Sequence, residues 1–325
     1  HFINDGYIVT DVKIEFDEFG KIKNNYKIQG SVNDGEITLL KKEIDKLNFD
    51  FQVTNKQFNF DDIKLLLNNK SINISKLKGI KQKNDFLVSG KLRSNNLKLK
   101  KEDIKKFTDN EFFKLNIKEI IFSSDSDFTL RIDKNFKLKN FDIKSILELD
   151  ILKLDNFLNL KNFFPNVKND ITLEKQKIEI IYRNDELEIA GSGKIFLQNK
   201  SDNLQFKIIN KKNELIFDLN YYISKNPFII DYLNFEKNEK STLDLSFKGK
   251  YNKDELAFDQ ILLSENNNII SINDLRLSKQ NKINNFGNIK IDYLDKDNVN
   301  NKFQILRKKK NYKVVGQSLN INKIV

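Results

Sequence analysis

The chain has 325 residues, and 57 lysines and arginines against 46 acidic residues give it a formal net charge of +11 at pH 7. It has no cysteine, which excludes disulfides, thiol nucleophiles and cysteine-bound zinc. The single histidine is His1, so a Ser-His-Asp triad and a histidine-based metal site are excluded within this sequence. We therefore expect no catalytic residues, no metal and no cofactor, and we predict that the protein is not an enzyme.

The basic excess comes from lysine, because the only arginines are Arg93, Arg131, Arg183, Arg276 and Arg307 and they do not cluster. Sequence-specific recognition of nucleic acid favours arginine, so nucleic acid is not an expected partner. A membrane-spanning helix needs about 18 consecutive apolar residues, and no apolar stretch of this sequence approaches that length. No signal peptide is visible either, so any membrane anchor is expected outside this sequence.

Alternation of apolar and polar residues runs along the whole chain. Side chains two apart lie on the same face of a strand, so the alternation predicts about twenty strands that are apolar on one face and wet on the other. Clusters of Asn, Asp, Lys and Gly, as in 197–204 and 264–271, predict the turns between them. The clearest alternating segments are 47–53, 128–132, 147–151, 178–180, 204–208, 215–221, 243–247, 270–272 and 289–291.

Four segments have helical spacing: 61–69, 101–113, 154–165 and 226–237. Pro165 stands where the third helix would end. In the fourth, Asn226 is a candidate N-cap and Pro227 occupies the first helical position. We expect these segments to form short helices that clip sections of the sheet together.

A five-residue pattern recurs along the chain: apolar, any residue, apolar, any residue, glycine. It ends at Gly30, Gly90, Gly191, Gly249 and Gly316. A glycine inside a strand commonly marks a bulge, a bend or a close approach of two backbones. The stretch GSGK at 191–194 also suggests a phosphate-binding loop, but such a loop must open a helix. Residues 194–198 read as extended chain, so we favour strand glycines.

We therefore predict an all-β fold, in which an elongated, twisted, largely antiparallel sheet curls into an open hydrophobic groove with a few short helices. One repeat-built segment is expected to span 1–325. An alternative is that the apolar faces pack against a second sheet or the short helices, as an ordinary core. The candidate groove residues are Phe49, Phe51, Phe86, Val88, Leu130, Ile132, Ile178, Ile180, Leu187, Ile189, Phe206, Ile208, Phe217, Leu219, Leu245, Phe247, Ile270, Ile272, Ile289 and Ile291.

Four phrases, FLVSGKLRSNNLKL (86–99), LEIAGSGKIFL (187–197), NPFIIDYLNFEK (226–237) and LDLSFKGKYNKDELAF (243–258), resemble the AsmA-like proteins, in particular their YhdP and TamB branch. The resemblance is one of texture over most of the chain, and the family has no catalytic motif to carry over. It implies a repeating β-groove that transports phospholipid towards the outer membrane. It also implies a periplasmic body, an inner-membrane anchor N-terminal to this sequence, and envelope proteins as further candidate partners.

From the residues and the resemblance together we expect non-enzymatic shielding and transfer of phospholipid acyl chains between the inner and outer membranes. The sequence is then a fragment of a longer membrane-anchored protein. The alternative is an extracytoplasmic structural or adhesive β-solenoid with a dry core and no lipid ligand. An enzyme that works through carboxylates is the third possibility.

Three polar motifs have a structural and a functional interpretation. Asp125 and Asp127 form an Asp-x-Asp pair found in some sugar-nucleotide enzymes, although Ser and Asp also favour a hairpin turn. Residues 295–300 partly match a calcium loop but lack its glycine and final glutamate, which favours a solvated turn. The basic run at 307–310 is expected to be a hairpin tip, with anionic lipid headgroups as the alternative partner.

Overall fold

A computed structural model describes residues 2–39, 42–67, 69–103, 117–135, 137–156, 160–212, 214–280, 282–309 and 311–320. This part of the chain is all-β, with 21 strands, one 3₁₀ turn and a short helical stretch at 101–103. Its backbone hydrogen bonds assign nineteen strands to one sheet and the other two to a separate pair. Every strand pair of defined register is antiparallel, from the pair nearest the N-terminus to the pair nearest the C-terminus. The predicted fold class is confirmed.

The chain divides into two compact units, which we describe separately. Unit 1 comprises residues 1–109, 120–148 and 179–184, and unit 2 comprises residues 110–119, 149–178 and 185–325. Six strands lie wholly in unit 1, and each pairs with the next in sequence. They are β1 (Phe2–Lys13), β2 (Lys27–Leu39), β3 (Lys42–Thr54), β4 (Gln57–Leu67), β5 (Lys70–Lys81) and β6 (Asp85–Lys100).

Three long strands contribute residues to both units: β7 (Ile117–Asp133), β8 (Leu138–Asp155) and β9 (Asp170–Arg183). The remaining elements lie in unit 2, and their strands are also paired antiparallel. They are β10 (Glu186–Phe196), β11 (Asp202–Lys211), β12 (Glu214–Ile223), β13 (Ile229–Ile230), the 3₁₀ turn (Asp231–Leu233), β14 (Phe235–Glu236), β15 (Leu243–Tyr251), β16 (Glu255–Glu265), β17 (Asn268–Ser278), β18 (Ile283–Asn285), β19 (Asn288–Leu294), β20 (Asn300–Lys308) and β21 (Asn311–Ser318).

Several strands contain a β-bulge, in which one extra residue changes the spacing of the apolar residues from two to three. The apolar side chains before and after the bulge therefore stay on the same face of the sheet. In β15, Phe247 and Gly249 are two residues apart, yet their partners Ile261 and Phe258 in β16 are three apart. Directly paired residues share a face, so the extra residue lets both partners face the same side. The same spacing of three occurs in other strands next to residues of positive φ, namely Asp34, Lys46, Asp62 and Asp274.

Three strand glycines, Gly79, Gly90 and Gly191, make room for phenylalanine rings. Gly191 lies inside β10 opposite Phe206, and a Cβ built on it would lie 2.6 Å from Cζ of that ring. Gly79 holds the ring of Phe58 in the same way, with its hypothetical Cβ 1.9 Å from Cζ. Because the chain stays extended from Gly191 to Phe196, the phosphate-loop interpretation is wrong and the strand-glycine interpretation is confirmed.

The helix predictions are wrong wherever the structure describes them apart from 101–103. Strand β4 continues to Leu67, and the helix-like spacing in 61–69 comes from the bulge at Asp62. Residues 226–237 form β13, the 3₁₀ turn and β14, and residues 161–163 form a turn. Tertiary contacts override helical spacing here, since Ile229 N–H donates to Phe163 O (3.0 Å). Residues 68, 104–113 and 157–159 of the predicted helices lie outside the described residues.

The polar motifs have structural roles in this part of the chain. Asp125 and Asp127 lie within β7, not in a turn, and pair with Arg93 (3.1 Å) and Lys91 (3.0 Å) on β6. Residues 295–299 form a turn, as expected, in which Asp295 accepts hydrogen bonds from backbone N–H groups. The basic run 307–310 is at a hairpin between β20 and β21, and its Lys310 lies outside the described residues.

The first prediction concerns the close approach at Gly191. Gly191→Val should lower the free energy of unfolding by about 1–3 kcal/mol, because the new side chain overlaps the Phe206 ring and overpacking has this cost. Urea unfolding followed by circular dichroism measures the change. Ser192→Val, exposed on the opposite face of the same strand, is the control and should leave stability within about 0.5 kcal/mol. Equal stability of the two variants would contradict the packing role of the glycine.

Candidate functional site

The candidate site of unit 2 is the apolar face of its sheet, which register divides into three rows of directly paired side chains. The first row consists of Leu204, Tyr221, Leu245, Leu263, Ile270, Ile291 and Phe303. The second row consists of Phe206, Leu219, Phe247, Ile261, Ile272, Ile289 and Ile305. The third row consists of Ile189, Ile208, Phe217, Gly249, Phe258 and Leu275, and Gly249 is the member that stands between the two phenylalanines. Side chains in one row lie about 5 Å apart across neighbouring strands, so each row is a continuous apolar strip.

The first row is a sealed core. Two segments, residues 160–168 and 226–237, pack on it, and we call them the covering segments. They bring Phe164, Phe228 and Phe235 against the sheet, with Phe164 and Phe228 in edge contact at 5.3 Å between ring centroids. Phe164 also lies 6.0 Å from the ring of Tyr221. Six of the seven residues of the first row are buried, so this strip is occupied by the protein's own side chains.

Buried polar side chains fix the covering segments in place. Gln198 is fully buried, accepts from Asn166 N–H (3.2 Å) and donates to Pro227 O (2.8 Å), so it bridges the two segments. Asp202 is also buried and accepts from the backbone N–H groups of Ser224 (2.9 Å) and Lys225 (3.0 Å). Buried polar groups must be satisfied in this way, because an unpaired one costs about 1–3 kcal/mol.

Burial and, after it, Asp202 suppress the ionisation of Tyr221 in the first row. The phenol O–H donates to the Asp202 carboxylate at 3.2 Å. Burial of the ring, together with the negative charge and hydrogen bond of Asp202, raises the pKa of Tyr221 far above its ordinary value. The phenol therefore stays protonated in the folded chain.

The second and third rows are half-buried and less completely covered. Phe247, Ile289 and Ile305 of the second row touch the sealed core, and the third row makes no part of it within the described residues. In the third row, Phe217 and Phe258 are in edge contact at 5.7 Å between centroids. These two rows form the apolar surface that remains accessible on this face.

The opposite face of the same sheet is polar and carries ion pairs between neighbouring strands. Lys207 contacts Glu188 at 2.6 Å, and Lys248 contacts Asp218 at 3.3 Å. Exposed pairs of this kind add little stability. They do mark the face that water solvates, so the sheet of unit 2 is apolar on one side and charged on the other.

Unit 1 has a comparable apolar face. Phe51 pairs with Phe60, and Phe58 stacks on Phe60 at 5.1 Å between ring centroids. Phe86 lies 6.4 Å from Phe58 and extends the aromatic surface onto β6. On β7 and β8, buried serines stand among the apolar residues. Ser126 and Ser145 are both buried, and their hydroxyl groups are hydrogen-bonded to each other at 2.7 Å.

The twenty predicted groove residues all lie on strands and none is exposed. Val88, Leu245, Ile270 and Ile291 are buried, and the other sixteen are half-buried. Register places those on β10, β11, β12, β15, β17 and β19 on one face of unit 2. Ile178 lies in the part of β9 that belongs to unit 2, and Ile180 in the part that belongs to unit 1. Leu187 pairs with a polar residue, Asn210, beyond the third row.

The sequence analysis missed apolar residues that lie next to bulges. Ile261 and Leu263 of β16 belong to the second and first rows but follow Phe258 at a spacing of three. In unit 1, Phe58 and Phe60 were missed for the same reason, since Ile63 follows at a spacing of three. These residues can be recognised in the sequence when the spacing between apolar residues changes once from two to three and then returns to two.

No group of carboxylate or other donor side chains in the described part of the chain has the arrangement of a metal site. Within the same residues, no helix has both the length and the apolar character needed to cross a membrane. No family model, curated protein or solved structure matches the chain.

The second prediction concerns Tyr221 at alkaline pH. Its pKa is raised in the folded chain, so the unfolded chain ionises first, and the stabilisation is complete below about pH 10 and falls as the pH rises further. Between about pH 10 and pH 11 the wild type should lose about 1 kcal/mol of unfolding free energy relative to Tyr221→Phe, because the unfolded phenol is already about half ionised at the start of this interval. Urea unfolding at a series of pH values measures the difference. Parallel pH dependences would contradict the assignment, and Tyr232→Phe, at a site 71% exposed, is the control.

Proposed function

We propose that the protein binds phospholipid acyl chains on the accessible apolar rows of its sheet and does so without catalysis. The proposal rests on the second and third rows of unit 2. Their apolar side chains are only half-buried, and the same strands carry ion pairs on the opposite face of the sheet. Apolar patches larger than a few hundred Å² commonly mark binding sites for apolar partners. An acyl chain is an apolar partner whose shape matches a strip.

The dimensions of the second row agree with this ligand. It crosses seven strands, and at about 4.8 Å between neighbours its length is about 29 Å. One leaflet of a bilayer is about 15 Å of hydrocarbon, so a single acyl chain fits within the row. Removing two sixteen-carbon chains from a membrane into water costs about 25 kcal/mol. Contact with a continuous apolar strip offsets much of that cost.

The wider proposal follows from the resemblance to AsmA-like proteins in sequence texture. In it, the protein transfers phospholipid between the inner and outer membranes of a cell envelope. It lies in the periplasm, an anchor outside this sequence holds it to the inner membrane, and envelope proteins are its partners. The lysine-rich composition supports contact with anionic headgroups, since each lysine near such a surface contributes about 1 kcal/mol.

A second candidate, a structural or adhesive extracytoplasmic β protein without lipid, is favoured by one observation. The covering segments already seal the first row with Phe164, Phe228 and Phe235. If comparable contacts close the other rows in solution, the apolar face is an ordinary core. The two proposals differ in whether the third row tolerates a charge and in whether it holds lipid.

The third prediction uses two adjacent isoleucines of β11. Ile208 lies in the third row. Ile209 lies on the other face of the sheet, where it is half-buried and paired with Ile216 of β12. Ile208→Asp should abolish the co-purifying phospholipid detected by native mass spectrometry, because a carboxylate in the strip repels the acyl chain. Ile209→Asp introduces the same charge at the same level of the strand and should leave the bound lipid unchanged.

Thermal unfolding of both variants separates the two candidate functions. Lipid binding predicts that Ile208→Asp folds as well as Ile209→Asp and has lost its ligand. A dry core predicts that Ile208→Asp alone unfolds and that the wild type carries no lipid. The milder Ile208→Thr provides a folded variant in either case, and undiminished lipid binding by Ile208→Asp would contradict the acyl-chain proposal.

A further inference from the structure

A polar cavity of about 530 Å³ lies at the edge of the covering segments in unit 2. Its lining is rich in lysine and in neutral hydrogen-bond donors, unlike the apolar rows. We propose that this cavity binds a phosphate group. The lining residues are Asn166, Asn199, Lys200, Ser224, Lys225, Asn226, Pro227, Glu236, Lys237 and Glu239.

The central observation is Lys237, a buried lysine that is only 5% exposed. Its ammonium group donates to two backbone carbonyls, Asn238 O at 2.9 Å and Ser224 O at 3.3 Å. Among the described residues, no carboxylate lies within ion-pair distance of it. A buried cation is stabilised chiefly by an opposite charge, and carbonyl dipoles supply only part of that stabilisation. An anion in the cavity that Lys237 lines completes it.

The side chains that line the cavity carry more lysine than uncommitted carboxylate. Lys200 and Lys225 are exposed, and the described part of the chain provides neither with an ion pair. Of the two glutamates in the lining, Glu236 is already paired with Lys296 at 2.9 Å. Glu239 is the remaining carboxylate, and it competes with an incoming anion for the three lysines. Two further carboxylates, Asp202 and Glu265, lie behind the lining and are already hydrogen-bonded to donors of the chain. Among the lining side chains themselves, three lysines against one uncommitted carboxylate favour an anion such as phosphate.

The backbone around these lysines is held rigidly by buried groups. Asn226 donates to Lys200 O (2.6 Å) and accepts from Lys200 N–H (3.1 Å), which fixes that residue. Asp202 accepts from the N–H of Lys225 at 3.0 Å and from Asn226 Nδ2 at 2.6 Å. The cavity is therefore formed before any ligand arrives, and this pre-organisation lowers the entropic cost of binding.

The proposal goes beyond the acyl-chain function and does not depend on it, because no residue of the second or third row lines the cavity. The shared chemistry is a phosphate that carries two negative charges. It has two possible sources, a soluble phosphate and the headgroup of an anionic lipid. Exposed lysines that form hydrogen bonds to phosphate oxygens suit either source.

The test is titration of the intact chain with inorganic phosphate in an isothermal calorimeter. We expect saturable binding that the double variant Lys200→Gln/Lys225→Gln weakens by about tenfold, since two solvent-exposed charge contacts, each worth roughly a few-fold in affinity, are lost. Glu239→Gln should tighten binding by about threefold, because it removes the competing carboxylate. Lys253→Gln, which removes an exposed charge at the β15–β16 hairpin, should leave affinity unchanged.

The outcomes are distinct. Absence of saturable phosphate binding, or equal weakening by Lys253→Gln and by the double variant, overturns the site. Sedimentation with phosphatidylcholine vesicles that contain phosphatidic acid then identifies the source: lysine-dependent binding that inorganic phosphate competes away indicates the headgroup, and phosphate binding without vesicle binding indicates a soluble ligand. Failure here leaves the Ile208 and Ile209 comparison unaffected, so the two proposals are tested independently.

Discussion

The structure depends on one constraint, the alignment of apolar side chains across antiparallel strands. A slip of one residue moves a strand's whole apolar set to the other face. In unit 2 the alignment runs through Leu245, Leu263 and Ile270 on three successive strands. The bulge in β16 restores it after the spacing changes, so bulges here are part of the fold and not irregularities. The charged ladder on the opposite face, as at Lys248 and Asp218, follows from the same alignment.

The covering segments decide which part of the apolar face becomes a core. They contribute aromatic rings, but their own backbone is irregular and needs polar partners. Gln198, Asp202 and Glu265 supply these partners from the ends of strands, each nearly or fully buried. Where such partners exist, the first row is sealed. Beyond their reach, the second and third rows remain accessible, which is why an apolar core and an apolar binding surface occur on one sheet.

The sequence predicts the strands well because period-two alternation depends only on which side of a sheet is buried. It also predicts the glycines correctly, since Gly191 sits in extended sequence on both sides. It fails at Phe60 and Ile63, where a bulge changes the spacing to three and imitates a helix. It fails again at 226–237, whose conformation is set by contacts that are distant in sequence, such as the bond between Gln198 and Pro227. Local patterns carry no information about such contacts.

The buried carboxylates show how the fold uses acidic residues. Asp202 accepts bonds from Ser224, Lys225, Asn226 and Tyr221, and Glu265 accepts from Asn238, Ser241 and Asn268. A general acid or base needs an accessible oxygen to exchange its proton with a substrate. These carboxylates are instead saturated by donors from the chain itself. Their positions at the ends of strands make them anchors for the irregular segments, and through Asp202 the same anchoring fixes the backbone of Lys225 in the lining of the polar cavity.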